Sequence, residues 1–214
     1  MDGEPVSWDV RTAGRWIATS ILAFGVATAL DPYALHYLAL PDVYEHDWGR
    51  LLRVVGFLPT WGVVSLALVL CDPPPEDARV AHLRRLRGLL PLAAATLGGI
   101  AAEALKLLLR RERPEAHAGA YAFRSWSDHP LSTGGLALPS SHALVAFAAA
   151  AMLARLYPRA SWLWFALATG CALTRVLARA HFLSDVTLAA IVGWLVAAAL
   201  WRWYLRREGL AQKL

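Results

Sequence analysis

Long apolar segments constrain the fold of this chain more than any other feature. Six of them alternate with short polar stretches over the 214 residues, and 57% of all residues are hydrophobic. Ordinary soluble domains are about 45–50% apolar, and a membrane-spanning helix needs about 20 mainly apolar residues. The sequence therefore predicts an all-α polytopic membrane protein, with six transmembrane helices in one bundle and a single domain over residues 1–214.

The expected spans comprise residues 16–30, 51–71, 88–109, 143–156, 162–177 and 186–203. Asp31 and Pro32 are expected to end the first span, because proline interrupts the hydrogen bonding of a helix. We expect residues 33–41 and 43–52 to form interfacial helix or loop. The first segment is interpreted as an uncleaved anchor, since acidic residues precede its basic residues.

The basic residues predict the orientation of the bundle. The polar segments after the second, fourth and sixth expected spans would lie on one side of the membrane. Their basic residues are Arg79, Arg84, Arg85, Arg87, Arg155, Arg159, Arg202, Arg206, Arg207 and Lys213. Because cytoplasmic loops are enriched in lysine and arginine, we place this side and both termini in the cytoplasm. The loop over residues 110–141 and the turn near His181 would then lie outside. This topology, rather than nucleic-acid binding, explains the net charge of +5.

The first of three polar clusters is KLLLRRERP, residues 106–114. Lys106 and Arg113 are two helical turns apart and share a helix face as far as the helix extends. Pro114 disfavours helical geometry at Arg113, so we expect the helix to end there. Taken alone, the cluster is typical of basic side chains that reach from a membrane helix to the interface.

The second cluster, LPSSHALVAF, has a serine pair between a proline and an apolar run. This pattern favours a helix start at which the hydroxyls of Ser140 and Ser141 cap exposed N–H groups. The same donors bind phosphate in many proteins, and His142 would lie in the first turn beside a bound group. Capping alone explains the serines as well.

The third cluster contains Arg175, His181 and Asp185. If this stretch is helical, His181 and Asp185 share a face, because they are four residues apart. A carboxylate bonded to one imidazole nitrogen fixes the tautomer and leaves the other nitrogen available for attack. An interfacial ion pair is the simpler alternative.

Together the clusters favour phosphoryl transfer, since all three are expected on the same side of the membrane. They combine three cationic side chains, a helix start and two histidines with different partners. Cations would bind the non-bridging phosphate oxygens while one histidine attacks and the other protonates the leaving oxygen. A neutral His181 and a protonated His142 predict a bell-shaped pH–rate profile.

The order K-x6-R-P, P-S-x-H and R-x5-H-x3-D over residues 106–185 resembles the type 2 phosphatidic acid phosphatase family of lipid phosphatases. The resemblance implies that His181 forms a phosphohistidine, that Asp185 orients it and that His142 is the general acid. It also implies hydrolysis without a metal or other cofactor. The phosphate would be bound by Lys106, Arg113, Ser140, Ser141 and Arg175.

Two positions depart from the family pattern. Ser141 stands where the family usually has glycine, and Thr174 stands where it usually has serine. Thr174 retains the hydroxyl, whereas the Ser141 side chain is expected to narrow the space for phosphate. Neither change removes a charge or a histidine, so we expect an active enzyme.

The resemblance implies a lipid phosphate or diphosphate substrate, with the active site at the periplasmic or extracellular face of a bacterial inner membrane. Undecaprenyl diphosphate, recycled as a carrier lipid of the cell envelope, is the preferred substrate. Phosphatidate, phosphatidylglycerol phosphate and lipid A phosphates are alternatives, as is phosphotransfer to a lipid acceptor. Arg124 and Trp126 are candidate headgroup contacts. A transporter is disfavoured because the charges gather near one interface, and a non-catalytic scaffold leaves the histidines without a role.

Overall fold

The computed structural model describes residues 10–71, 78–207 and 209. Within these residues the chain forms seven α-helices, which confirms the all-α prediction. They are α1 (Val10–Tyr37), α2 (Asp47–Val54), α3 (Leu58–Cys71), α4 (Ala78–Leu109), α5 (Ser141–Leu156), α6 (Ser161–Leu177) and α7 (Leu183–Arg207). Short 3-10 turns occur at Pro114–His117 and Pro158–Ala160.

Helix α5 lies at the centre of the bundle and packs against α4, α6 and α7. Eleven of its 16 residues are buried, and most of these are alanines. Glycines let the neighbouring helices approach it closely: a Cβ on Gly193 of α7 would lie 2.9 Å from Ala148 N, and one on Gly98 of α4 would lie 3.0 Å from Ala148 Cβ. This close small-residue packing fixes the ends of α4, α5 and α7 relative to one another.

The number of spans is confirmed only in part. Within the described residues, four helical segments are long and apolar enough to cross a membrane: Arg11–Tyr37, His82–Leu109, Pro158–Leu177 and Leu183–Arg207. Helices α2 and α3 together form a fifth candidate that is bent by 67°. Helix α5, counted among the six predicted spans, is about 24 Å long, shorter than the roughly 30 Å hydrocarbon core of a bilayer.

Helix α1 does not end at Asp31 and Pro32, so that prediction is wrong. It continues to Tyr37 and includes half of the segment that was expected to be interfacial. Pro32 cannot donate to the Thr28 carbonyl, but the Tyr121 hydroxyl lies 3.3 Å from that oxygen. Asp31 is 1% exposed and accepts hydrogen bonds from the start of α7. Tertiary contacts therefore satisfy the polar groups that the sequence pattern treated as a helix stop.

The three polar clusters meet at one end of the bundle. There the backbone N–H of Leu40, just after α1, donates to the carbonyl of Leu177 at the end of α6 at 2.8 Å. The N–H of Ser140, just before α5, donates to the carbonyl of Asp185 in α7 at 3.3 Å. Loop 110–140 covers this end, whereas the basic residues behind the predicted orientation belong to the opposite helix ends. Lys213 lies outside the described residues.

Candidate active site

Lys106 lies in the last turn of α4 and is 6% exposed. Its ammonium donates to Glu103 Oε1 at 3.0 Å and to the Ser141 hydroxyl oxygen. Ser141 in turn donates to the same Glu103 oxygen at 2.6 Å. The position that the family usually fills with glycine thus links the end of α4 to the start of α5.

Arg113 is brought back toward Lys106 by a turn at Arg110. Helix α4 ends at Leu109, four residues earlier than predicted, because Arg110 adopts a left-handed conformation with φ of 54°. The buried Arg110 guanidinium donates to the carbonyls of Arg124, Ser125, Asp128 and Pro130 and so organises loop 110–140. Burial lowers the pKa of Arg113, and the charge of Arg175 lowers it further. The guanidinium stays protonated all the same, since an arginine in a protein does not lose its proton.

Ser140 occupies the N-cap position of α5, but its side chain makes no capping hydrogen bond. The predicted helix start is confirmed, whereas the predicted cap at Ser140 is absent, and its Oγ is buried without a partner. His142 lies in the first turn, as predicted, with its Nε2 also buried and unpartnered. Its ring contacts the Phe57 ring at a centroid distance of 5.6 Å.

His181 and Asp185 come together although His181 precedes the helix that was expected to hold both. Helix α7 begins at Leu183, and His181 Nδ1 lies 3.5 Å from Asp185 Oδ2. Both side chains are buried, with exposures of 2% and 0%. Burial lowers the pKa of His181 to about 4. Its imidazole is therefore neutral at neutral pH.

A buried hydrogen-bond network holds the Asp185 carboxylate. Arg111 pairs with Oδ1 through Nε at 3.1 Å and through Nη2, and the backbone N–H of Phe182 donates to Oδ2 at 2.7 Å. Arg111 Nη2 also donates to Ser184 Oγ at 2.8 Å. The Ser184 backbone N–H and hydroxyl both donate to Asp31. This network links α1 to the loop before α7.

Arg175, at the end of α6, is oriented by a tyrosine that the sequence did not single out. Its Nη1 donates to the Tyr44 hydroxyl at 2.7 Å, and that hydroxyl lies 3.1 Å from the Thr174 carbonyl, to which it donates. The Tyr44 ring also contacts Arg53, whose Cζ lies 4.7 Å from the ring centroid. Tyr44 lies in the segment 43–52 that was expected to be interfacial, and Arg53 lies in the predicted span 51–71. The local sequence pattern of neither residue indicated a role in a site.

The two candidate headgroup contacts differ in their surroundings. Arg124 donates to Glu112 Oε1 at 3.0 Å and to the Gly134 carbonyl at 2.8 Å, so its guanidinium is bonded within the loop. Trp126 is 63% exposed, with Arg110 Cζ 5.3 Å from its ring centroid. Their part in headgroup binding stays a prediction.

Unpartnered buried polar atoms concentrate where the clusters meet. Such atoms are rare in folded proteins. Among the described residues, five of the seven side-chain examples belong to predicted site residues: Arg113 Nε, Ser140 Oγ, His142 Nε2, Arg175 Nε and His181 Nδ1. The other two are Arg53 Nε and Trp164 Nε1. A buried region with three cations and several uncommitted donors is suited to bind an oxyanion.

The model of the PAP2 superfamily matches residues 87–208, which is more than half of the chain and includes all three clusters. The chain belongs to the PAP2 superfamily. The resemblance to the type 2 phosphatidic acid phosphatases is thereby confirmed, and PAP2 membership indicates a phosphatase acting on lipid-type phosphate substrates. A search of curated proteins found no match. Among the described residues of this PAP2 protein, no group of three or more His, Cys, Asp or Glu side chains could hold a metal ion.

Proposed function

We propose that the protein is a membrane lipid phosphate or diphosphate phosphatase that works through a phosphohistidine on His181. The observation that carries this proposal is the meeting of three cationic side chains and two histidines at one end of an apolar bundle. The whole chain acts as one domain, with the site at the periplasmic or extracellular face and both termini in the cytoplasm. Undecaprenyl diphosphate is the proposed substrate, with phosphatidate, phosphatidylglycerol phosphate and lipid A phosphates as alternatives.

Binding and attack follow from the charges and burial of the site. Lys106, Arg113 and Arg175 bind the non-bridging oxygens, and the Ser140 hydroxyl and the N–H groups at the start of α5 donate to the same phosphate. His181 is neutral at neutral pH, and its Nδ1 faces the Asp185 carboxylate. Nε2 is therefore the attacking atom, and a bond forms between Nε2 and phosphorus as the bond to the leaving oxygen breaks.

His142 acts on the leaving group. It donates a proton from Nε2 to the departing oxygen, and it then removes a proton from the water that attacks the phosphohistidine. Hydrolysis breaks the N–P bond, releases inorganic phosphate and restores neutral His181. The reaction requires no metal. If a lipid hydroxyl attacks instead of water, the same steps give a phosphotransferase.

Phosphate release by the purified protein in detergent, with a chelator present, tests the proposal. The panel contains undecaprenyl diphosphate, phosphatidate, phosphatidylglycerol phosphate and lipid A. Each lipid is assayed with the native protein, with His181→Ala and with His82→Ala, an exposed histidine near the opposite end of α4. We expect His181→Ala to lose several orders of magnitude in turnover while His82→Ala retains activity. If His181→Ala kept a tenth of the activity, the covalent scheme would be wrong.

A further inference from the structure

Arg53, in the last turn of α2, is a fourth cationic side chain at the site and lies outside the region matched by the PAP2 model. It shares the Tyr44 ring with Arg175: their Cζ atoms lie 4.7 Å and 5.6 Å from the ring centroid. Its Nε is buried without a partner, and in the part of the chain that the structure describes no carboxylate pairs with it. By contrast, Arg50 of the same helix is exposed and pairs with Asp47 at 2.6 Å.

Arg53 lies on the His142 side of the site. The Gly56 N–H donates to the Arg53 carbonyl at 3.0 Å. Gly56 itself packs so closely on His142 that an added Cβ would lie 2.7 Å from His142 Cβ. Arg53 is among the charges that act on His142, whereas Arg113 is among those that act on His181. The charge of Arg175 acts on both histidines, whereas Arg53 places a further cation on the side of His142.

We propose that Arg53 binds the second phosphate of a lipid diphosphate, the phosphate that departs with the lipid. The inference rests on the proposed function and deepens it, because it assigns the substrate to the diphosphate class. In that mechanism His142 protonates the leaving oxygen, so a cation beside His142 lies where the leaving group is bound. A fourth cation, an arginine with an uncommitted donor, suits a second anionic group at this place.

The chemistry explains why the arginine would favour a diphosphate. His181 Nε2 forms a bond to the terminal phosphorus, and the bond from that phosphorus to the bridging oxygen breaks. The electron pair stays on the bridging oxygen, which becomes part of the lipid monophosphate, and a proton from His142 offsets part of its charge. The remaining negative charge develops next to Arg53 and is stabilised there. With a monophosphate the leaving group is an alcohol, which offers no second anion to this side chain.

Steady-state kinetics with the diphosphate and monophosphate of one polyprenyl alcohol test this assignment. The proteins are the native chain, Arg53→Gln, Arg53→Lys and the matched control Arg50→Gln. For Arg53→Gln we expect kcat/KM to fall at least about tenfold more on the diphosphate than on the monophosphate, as for a lost charge-assisted hydrogen bond. Arg53→Lys should lose less kcat/KM on the diphosphate than Arg53→Gln, because lysine keeps the positive charge although it lacks the planar guanidinium. Arg50→Gln should leave the ratio of the two substrates unchanged.

Binding of inorganic pyrophosphate and inorganic phosphate, measured by calorimetry on the same proteins, separates the two proposals. We expect the native chain to prefer pyrophosphate and Arg53→Gln to lose that preference, whether or not lipids are hydrolysed. A protein that binds in this way but hydrolyses no lipid would overturn the phosphatase and keep the arginine assignment. An equal loss of kcat/KM on the diphosphate and the monophosphate in Arg53→Gln would overturn the assignment of Arg53 but not the proposed phosphatase activity. A native protein that hydrolyses only monophosphates would do the same.

Discussion

The two histidines of the site have differently constructed surroundings. On the His181 side, the Asp185 carboxylate accepts hydrogen bonds from Arg111 and Phe182, and every polar group of this network is buried. On the His142 side, the imidazole is only partly buried and is contacted by Phe57 and by Gly56. One side of the site is held by charge-assisted hydrogen bonds and the other mainly by apolar packing.

The difference corresponds to what each side must do in the proposed mechanism. The attacking nitrogen meets a phosphorus atom with the same geometry in every substrate, so a rigid and fully bonded support suits it. The general acid meets a leaving group whose structure varies between lipids. The bend between α2 and α3 provides that side of the site from outside the region matched by the PAP2 model. Variation in substrate preference is therefore expected to arise there.

The largest effect should come from Arg111→Met, which removes the cation from the hydrogen-bond network on the His181 side. The substitution leaves the Asp185 carboxylate buried without its cation, which costs about 3–5 kcal/mol when one partner of such a pair is removed. Turnover should fall by about a hundredfold or more, because His181 loses its fixed orientation. Denaturant unfolding and single-turnover assays measure the two effects.

The exposed Arg159→Met is the matched control for that substitution. Because Arg111 and Asp185 act as one unit, Arg111→Met and Asp185→Asn should be strongly non-additive. Additive losses of stability would show that the ion pair does not support Asp185.

Gly56→Ala should disturb the His142 side of the site, which is held mainly by apolar packing. The new methyl carbon would lie 2.7 Å from His142 Cβ and 2.9 Å from Cys171 Sγ, so His142 must shift. Overpacking of this kind costs about 1–3 kcal/mol. We expect turnover to fall by about tenfold on a lipid phosphate and less on an aryl phosphate, whose leaving group needs no proton.

Gly62→Ala in α3 is the matched control, since an added Cβ there meets nothing within 4 Å. An equal loss on lipid and aryl phosphates would argue against a specific effect on His142.

A smaller effect is expected at the far end of the rigid network. Asp31→Asn keeps an oxygen acceptor for the Ser184 N–H but removes the negative charge that holds the Ser184 and Tyr121 hydroxyls. Loss of one net hydrogen bond, about 1 kcal/mol, should lower kcat about fivefold and leave KM unchanged. The exposed Asp47→Asn serves as control. A change in KM without a change in kcat would place Asp31 outside the support of His181.

The smallest effect concerns pH. The pKa of His181, the proposed nucleophile, is lowered to about 4, so we expect its protonation to lower activity only as the pH falls toward that value. Between pH 7 and pH 5 the neutral fraction of His181 should drop by only about a tenth, whereas that of a histidine with an ordinary pKa of about 6.5 would fall about 25-fold. Rapid-quench measurement of phosphoenzyme formation from an aryl phosphate isolates this step. A steep loss above pH 5 would contradict the burial argument.

Much of the helical layout could be predicted because it depends on local pattern. The apolar runs that became α4, α6 and α7 are long and continuous, and the bounds of α5 differ from the prediction by two residues. The three clusters were found because each lies within a short stretch of sequence. Two predicted helix ends were wrong because they followed from the local preferences of proline. Helix α1 continues past Pro32, where the Tyr121 hydroxyl lies near the Thr28 carbonyl. Helix α4 ends before Arg113, where loop carbonyls accept hydrogen bonds from Arg110.

The sequence by itself determined the membrane class, the family and the chemical types of the site residues. Only the tertiary structure decided which side chains support them. Arg111 reaches Asp185 across 74 positions, and Ser184 reaches Asp31 across 153. Arg53 and Arg175 meet at one tyrosine ring although they belong to different helices. No local periodicity encodes such pairs, because they form only when packing brings distant helix ends together.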